Sequence, residues 1–233
     1  MKLSNRIKFL LNEIHFTNKT TFCDIGCDHG IIGFELLKAN STLKVVFCDI
    51  SASSLEKARK LCKDNKICSE RIDFINCDGV PKEAKNTDVG LIFGLGGETI
   101  VDILSKNQKI QEFYLQPTTS VYELRKYLND SNFTILKDYL FYDGSKYYNF
   151  IHIKKNKSPN HLNDEELLFG KDNIGRNDSE YLNFLKKEFA NIRKVLAKTD
   201  GNVLKYNIDS DKIKIYHKKF KLIASRLKGD NDV

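Results

Sequence analysis

The period of apolar and polar positions changes along the chain and divides it into three stretches. Leu3, Ile7, Leu10, Leu11 and Ile14 recur at helical spacing, which predicts an opening amphipathic helix. Short apolar runs follow at 21–25, 44–49, 72–76, 89–93 and 113–116, and four of the segments between or after them carry helical spacing. Ser53 with Glu56 marks a capping-box start for a helix to about Asp64, with Leu55, Ala58, Leu61 and Cys62 on its inner face. Residues 99–105 and 121–128 read as two more helices. A strand–helix series of this kind predicts a mainly parallel α/β sheet covered on both faces. Two strand-like runs between Phe133 and Ile153, parted by the turn signal Asp143-Gly144-Ser145, predict a terminal β-hairpin that closes the sheet.

The polar, charged segment 154–160 holds one of only three prolines and predicts a domain boundary, with domains at 1–155 and 156–233. Beyond it Leu182, Leu185, Phe189, Ile192 and Leu196 form one heptad-like seam, and Ile213, Tyr216, Phe220, Ile223 and Leu227 form a second. Joined by a polar connection around Thr199 to Asp211, they predict a C-terminal antiparallel helical hairpin of coiled-coil character. Two such seams pair within one chain or between two, so monomer and homodimer both remain open.

A chain of 233 residues is long enough for one catalytic domain of about 150 residues and a smaller appendage. Its net charge is +7, and residues 155–233 carry +5 of it, with 17 Lys and Arg against 12 Asp and Glu. A basic appendage points to a polyanionic partner. Lys186, Lys187, Arg193, Lys194, Lys218, Lys219 and Lys221 lie off the two seams, placed to meet phosphates or simply solvent. No apolar run approaches the roughly 18 residues of a membrane span. The first 16 residues are broken by Arg6, Lys8, Asn12 and Glu13, unlike a secretory signal. A cytoplasmic protein without a membrane partner is expected. Six cysteines, at 23, 27, 48, 62, 68 and 77, form no Cys-x-x-Cys pair. They read as reduced, mostly buried residues, and no metal is expected.

The chemistry concentrates at the ends of the predicted strands. Asp24-Ile25-Gly26-Cys27-Asp28-His29-Gly30 follows the first strand and opens a helix, where glycines let a ligand approach and the helix start offers N–H groups. The strict Gly-x-Gly-x-x-Gly fingerprint is absent, because Asp28 stands at the middle position and Gly33 is the last glycine that fits. Asp49 ends the second strand, about 20 residues on, where an acidic side chain accepts ribose hydroxyls or caps the next helix. Asp78-Gly79 follows the third strand. Gly94-Leu95-Gly96-Gly97-Glu98 follows the fourth and either leaves room for a planar base or turns into a helix.

These segments, with Leu115-Gln116-Pro117, Leu124-Arg125 and the trailing helical hairpin, closely resemble the bacterial TrmK family of tRNA (adenine-N1)-methyltransferases, which act on adenosine 22. The resemblance runs from about Leu3 to the end of the second seam. It departs at Leu95, where the family usually has methionine, and at Thr118, where it has asparagine; the first exchange conserves volume. The resemblance implies a class I, Rossmann-like methyltransferase sheet that uses S-adenosyl-L-methionine to methylate N1 of adenosine in tRNA. It further implies a cofactor site of Asp24, Gly26, Cys27, Asp28, Gly30, Asp49, Ile50, Asp78, Gly79 and Gly94. Its catalytic and acceptor residues would be Asp28, His29, Gly94, Gly96 and Gly97. Adenine N1 has a free lone pair at neutral pH, so Asp28 is expected to orient the base through the N6 amino group rather than remove a proton. The target must also leave its stack, and Tyr147 and Tyr148 are candidates to receive it. Three rival readings stay open. One is a small-molecule or protein methyltransferase with a dimerising hairpin, another a non-catalytic RNA-binding protein, and the weakest a nicotinamide enzyme.

Overall fold

The computed structural model describes residues 2–17, 20–82, 86–107, 109–156, 160–199 and 210–229. Seven strands form one sheet: β1 (Thr21–Ile25), β2 (Lys44–Asp49), β3 (Ile72–Asn76), β4 (Val89–Phe93), β5 (Glu112–Gln116), β6 (Phe133–Tyr142) and β7 (Tyr147–Lys155). Their order is β3-β2-β1-β4-β5-β7-β6, with the first five parallel and β7 antiparallel to both β5 and β6. The expected closing hairpin is therefore present, and its second strand lies inside the sheet. The α/β architecture is that of a class I methyltransferase.

Alternation along each central strand sends successive side chains to opposite faces, and both faces are buried. Phe22, Phe47, Leu91 and Tyr114 enter one core and Cys23, Cys48, Ile92 and Leu115 the other. On the first face lie α1 (Asn5–Glu13), α2 (Ile31–Ala39) and α3 (Ala52–Asp64), through Leu10, Phe34, Leu37, Leu55 and Ala58. On the second lie α4 (Gly97–Lys106) and α5 (Val121–Asp130), through Ile100, Leu104, Leu124 and Leu128. Two cores on one sheet explain why the strands read as unbroken apolar runs.

Helix α3 starts earlier than its apparent capping box. Ser51, not Ser53, is the N-cap and accepts from the Ser54 N–H. The cause lies upstream, where the Asp49 carboxylate accepts from the Ser51 N–H at 2.8 Å and turns the chain into the helix two residues sooner. Glu56, freed from capping, pairs with Arg59.

A buried ion pair ties α5 to the hairpin. Arg125 donates to Asp138 through Nε at 2.7 Å and Nη2 at 2.9 Å, and Nη2 also reaches Asn149 Oδ1 at 3.0 Å. The pair is almost wholly enclosed, so its geometry and not its charge count secures the contact.

The chain forms two compact units, Met1–Leu162 and Asn163–Val233. The first extends past the boundary expected at 155. Asn160 supplies the reason, since its amide donates to the Leu128 and Phe133 carbonyls and accepts from the Ile135 N–H. Residues 157–159 of the expected linker lie outside the described residues. The second unit opens with α6 (Asp164–Phe169), capped by a reciprocal Asn163–Glu166 box, a helix the sequence reading leaves out. Then come α7 (Ser179–Thr199) and α8 (Ser210–Gly229). Phe189 stacks on Phe220 at 4.6 Å and Arg226 lies over Tyr181, so the two helices run antiparallel. Tyr181, Leu185, Ile192, Leu196 and Ile223 are their buried residues. Most of the expected connection, residues 200–209, lies outside the described residues.

Candidate active site

Strand order reverses between β1 and β4, where the connections leave on opposite sides and a crevice opens at the carboxyl ends. A cleft of about 610 Å³ lies there.

Its floor is the turn after β1. Gly26, Asp28 and Gly30 all have positive φ, at 67°, 48° and 68°. The N–H groups of Gly26 and Cys27 both donate to the Cys48 carbonyl, that of Asp28 to the Asp49 carboxylate at 2.9 Å, and that of Gly30 to the Cys27 carbonyl. These four donors are thus spent within the fold, fastening the turn to the end of β2. The expected helix-start donors are further reduced, because the Asp24 carboxylate caps α2 by accepting from the Gly33 N–H at 3.2 Å. Asp24 is 5% exposed. Burial pushes its carboxyl up to about 7; the Gly33 N–H opposes the shift and the Asp49 charge adds to it. Burial likewise raises the Cys27 thiol, with the Asp24 and Asp49 charges adding to the effect.

The neighbouring carboxylates are open to ligands. Asp49 divides its oxygens between the N–H groups of Asp28 and Ser51. Beside it Ile50 is 75% exposed, held out by Asn76, whose amide donates to the Asp49 and Ile50 carbonyls at 2.9 Å each. Asp28 is exposed, and His29 Nε2 stands 3.5 Å from its Oδ1. Asp78 and Gly79 complete this side, Gly79 at φ 80°.

Across the cleft, Gly94, Leu95 and Thr118 line the wall and Arg6 of α1 reaches in beside them. The loops after β4 and β5 are joined: the Thr118 N–H donates to the Leu95 carbonyl, and the Gly97 N–H to the Thr119 carbonyl, both at 2.9 Å.

The pattern of the family described as TrmK, tRNA (adenine(22)-N(1))-methyltransferase, matches residues 22–221, which is most of the chain. The chain belongs to this family. A Mycoplasma pneumoniae relative, named as a candidate tRNA methyltransferase, is 33% identical over 196 residues, covering 80% of this chain and 90% of that one. The structure of M. capricolum TrmK with S-adenosyl-homocysteine is 31% identical and superposes with a TM-score of 0.79, covering 96% of this chain and all of that one. B. subtilis TrmK, described as an M1A22 tRNA methyltransferase, shares the fold at 18% identity, with a TM-score of 0.71 over 97% and 96% of the two chains.

Within this TrmK-family cleft the structure gathers Asp24, Gly26, Cys27, Asp28, His29, Asp49, Ile50, Asp78, Gly79 and Gly94. Three expected residues do not line it. A Cβ on Gly30 would stand 2.6 Å from the Ala58 Cβ, so this glycine makes room for α3. A Cβ on Gly97 would lie 2.2 Å from the Ser120 carbonyl oxygen, and one on Gly96 3.1 Å from the Thr119 hydroxyl. Both glycines admit the loop after β5. Tyr148 stacks on Phe141 and Tyr147 meets Tyr142 at a tilt, so each makes a ring contact within the hairpin. In the second unit Lys219 pairs with Glu188 and Lys218 with Asp164, while Lys186, Arg193 and Lys194 are exposed.

Arg6, which lines the cleft, and Gln116 and Asn76, which support its walls, are contributors to which sequence reasoning gives no role in the site. Arg6 sits in an ordinary amphipathic helix, and only three-dimensional packing brings it to Gln116, 110 residues away. Among the described residues no cluster of His, Cys, Asp or Glu is arranged to hold a metal ion, and no helix is long and apolar enough to cross a membrane.

Proposed function

We propose that this chain transfers a methyl group from S-adenosyl-L-methionine to N1 of an adenosine in tRNA, position 22 by family membership. The observation that carries this reading is a cleft at the switch point whose lining joins four carboxylates, Asp24, Asp28, Asp49 and Asp78, to an exposed apolar Ile50. The residues fit the cofactor. Asp49 suits ribose hydroxyls, Ile50 offers an apolar face to a planar ring, and the carboxylates favour a cation. Gly79 and Gly94 leave open backbone at positive φ, and Gly26, also at positive φ, admits the Leu95 side chain beside the cleft. When bound, the cofactor supplies an electrophilic methyl group on a sulfonium.

The work of the chain's own residues is to orient and to stabilise charge. N1 attacks through its own lone pair, so no residue has to remove a proton first. Asp28 accepts a hydrogen bond from the N6 amino group, and its negative charge offsets the positive charge that develops on the methylated ring. His29, next to the Asp28 carboxylate, steers that side chain toward the cleft. Lys186, Arg193 and Lys194 meet tRNA phosphates. The enzyme works in the cytoplasm, where tRNA is modified.

The test is incubation with the cofactor and unmodified tRNA, followed by mass spectrometry of the digested nucleosides. Formation of 1-methyladenosine is expected, with a loss of roughly 100-fold or more in Asp28→Ala, read beside its melting temperature because alanine at the φ of 48° costs about 1 kcal/mol. Absence of 1-methyladenosine with intact cofactor binding would refute the reading.

A further inference from the structure

Arg6 is the only Lys or Arg among the described residues lining the cleft, facing four carboxylates, yet it forms an ion pair with none of them. Its Nη1 donates instead to a neutral partner, the Gln116 Oε1, at 2.8 Å. Gln116 is fully buried and held in turn by the Pro117 carbonyl, which accepts from its Nε2 at 3.0 Å. The guanidinium also lies over the Tyr148 ring, 5.6 Å from its centroid. Two side chains thus fix the group while leaving its charge uncompensated, and no protein acceptor takes its Nε or Nη2 hydrogens among the described residues. A guanidinium held in this way is preorganised for a planar or tetrahedral oxyanion.

Its position narrows the ligand. Arg6 sits over Gly94 at the end of β4, Gln116 at the end of β5 and Tyr148 on β7, whereas Asp49 and Asp78 follow β2 and β3. It therefore belongs to the half of the crevice on the acceptor side of the switch point.

We propose that Arg6 is the oxyanion anchor of the cleft, with the phosphate next to the target adenosine as its favoured ligand. The other oxyanion within the same chemistry is the carboxylate of the cofactor's amino-acid tail. Anchoring a phosphate there holds the extruded nucleotide against the wall formed by Gly94 and Leu95, which makes Arg6 a binding and positioning residue for tRNA. The inference rests on the proposed methyl transfer only for the identity of the nucleic acid, and binding measurements read it independently of turnover.

Arg6→Met and Arg6→Lys separate the outcomes. The measurements are tRNA binding and KM over a salt series, calorimetric binding of S-adenosyl-L-methionine and of its decarboxylated analogue, and melting temperature. If the phosphate is the ligand, Arg6→Met weakens tRNA about tenfold and lowers the salt slope by about 0.7 to 0.9, as loss of one phosphate contact requires. Both cofactors then bind as before. If the carboxylate is the ligand, S-adenosyl-L-methionine weakens about tenfold, its decarboxylated analogue is unchanged, and the salt slope stays as in wild type. Arg6→Lys recovers part of either loss, since it keeps the charge without the fork, and it carries the test should Arg6→Met melt early. Unchanged binding of all three, or equal weakening of both cofactors with an unaltered salt slope, would overturn the proposal.

Discussion

Asp24→Asn isolates the cost of burying a charge under the cofactor cleft. Asp24 caps α2 from the end of β1, and burial lifts its carboxyl from 3.8 to about 7. Below about pH 4 the folded and unfolded chains both hold the proton, and burial of the group costs nothing in ionisation. As pH climbs from 3.8 towards 7 the unfolded chain releases its proton while the native chain keeps it. Native stability falls over that interval, by on the order of 4 kcal/mol in all. Asparagine keeps an oxygen that accepts from the Gly33 N–H and carries no charge. The stability of Asp24→Asn relative to wild type should therefore rise by about that amount between pH 4 and pH 8. Urea denaturation of the ligand-free protein, followed by circular dichroism across this range, reads the difference directly. A cationic ligand favours the ionised form, so calorimetry in buffers of different ionisation heat should also find a proton released on cofactor binding near pH 6.5, and none in the variant. A flat stability difference from pH 4 to pH 8 would refute the burial argument.

Three further outcomes follow from the geometry. Asp138→Ala strands the buried Arg125 guanidinium and should cost about 3–5 kcal/mol in chemical denaturation, whereas replacing both partners by apolar residues of similar volume should restore much of the loss. Gly97→Ala places a methyl group against the Ser120 carbonyl oxygen, which is backbone and cannot swing away, so a loss of about 1–3 kcal/mol is expected, read as a lower melting temperature. Lys186→Gln, Arg193→Gln and Lys194→Gln combined should raise the KM for tRNA and flatten its salt dependence by up to about 2.7, with S-adenosyl-homocysteine affinity unchanged by calorimetry.

Most of the framework was legible because its physical cause is local. Strands buried on both faces are largely apolar, and the runs at 21–25, 44–49 and 89–93 coincide with β1, β2 and β4, while the run at 72–76 coincides with the edge strand β3, where Asp73 and Asn76 are exposed. The helical seams were legible for the same kind of reason, since one face of each helix packs on its partner. Errors arose where a local signal competes with another. Ser51 and Ser53 both suit an N-cap, and only the Asp49 side chain, by turning the chain at Ser51, decides between them. Helix α6 is six residues long, too short to show a period, although Asn163 and Glu166 spell its capping box.

The site divides along a different line. Carboxylates at strand ends are foreseeable, because strand boundaries are foreseeable and the carboxyl edge follows from them. Glycines are not, since an absent side chain leaves space without saying what fills it. Gly26 and Gly94 are both at positive φ and face the cleft, whereas Gly30, also at positive φ, receives Ala58, and Gly97 receives the Ser120 backbone. The same residue type in one motif thus faces the cleft at Gly94 and admits a neighbouring loop at Gly97, three residues on. Arg6 shows the converse. Nothing in its helix marks it, and its importance comes from a buried glutamine at the far end of another strand, which holds its guanidinium and leaves its charge for a ligand.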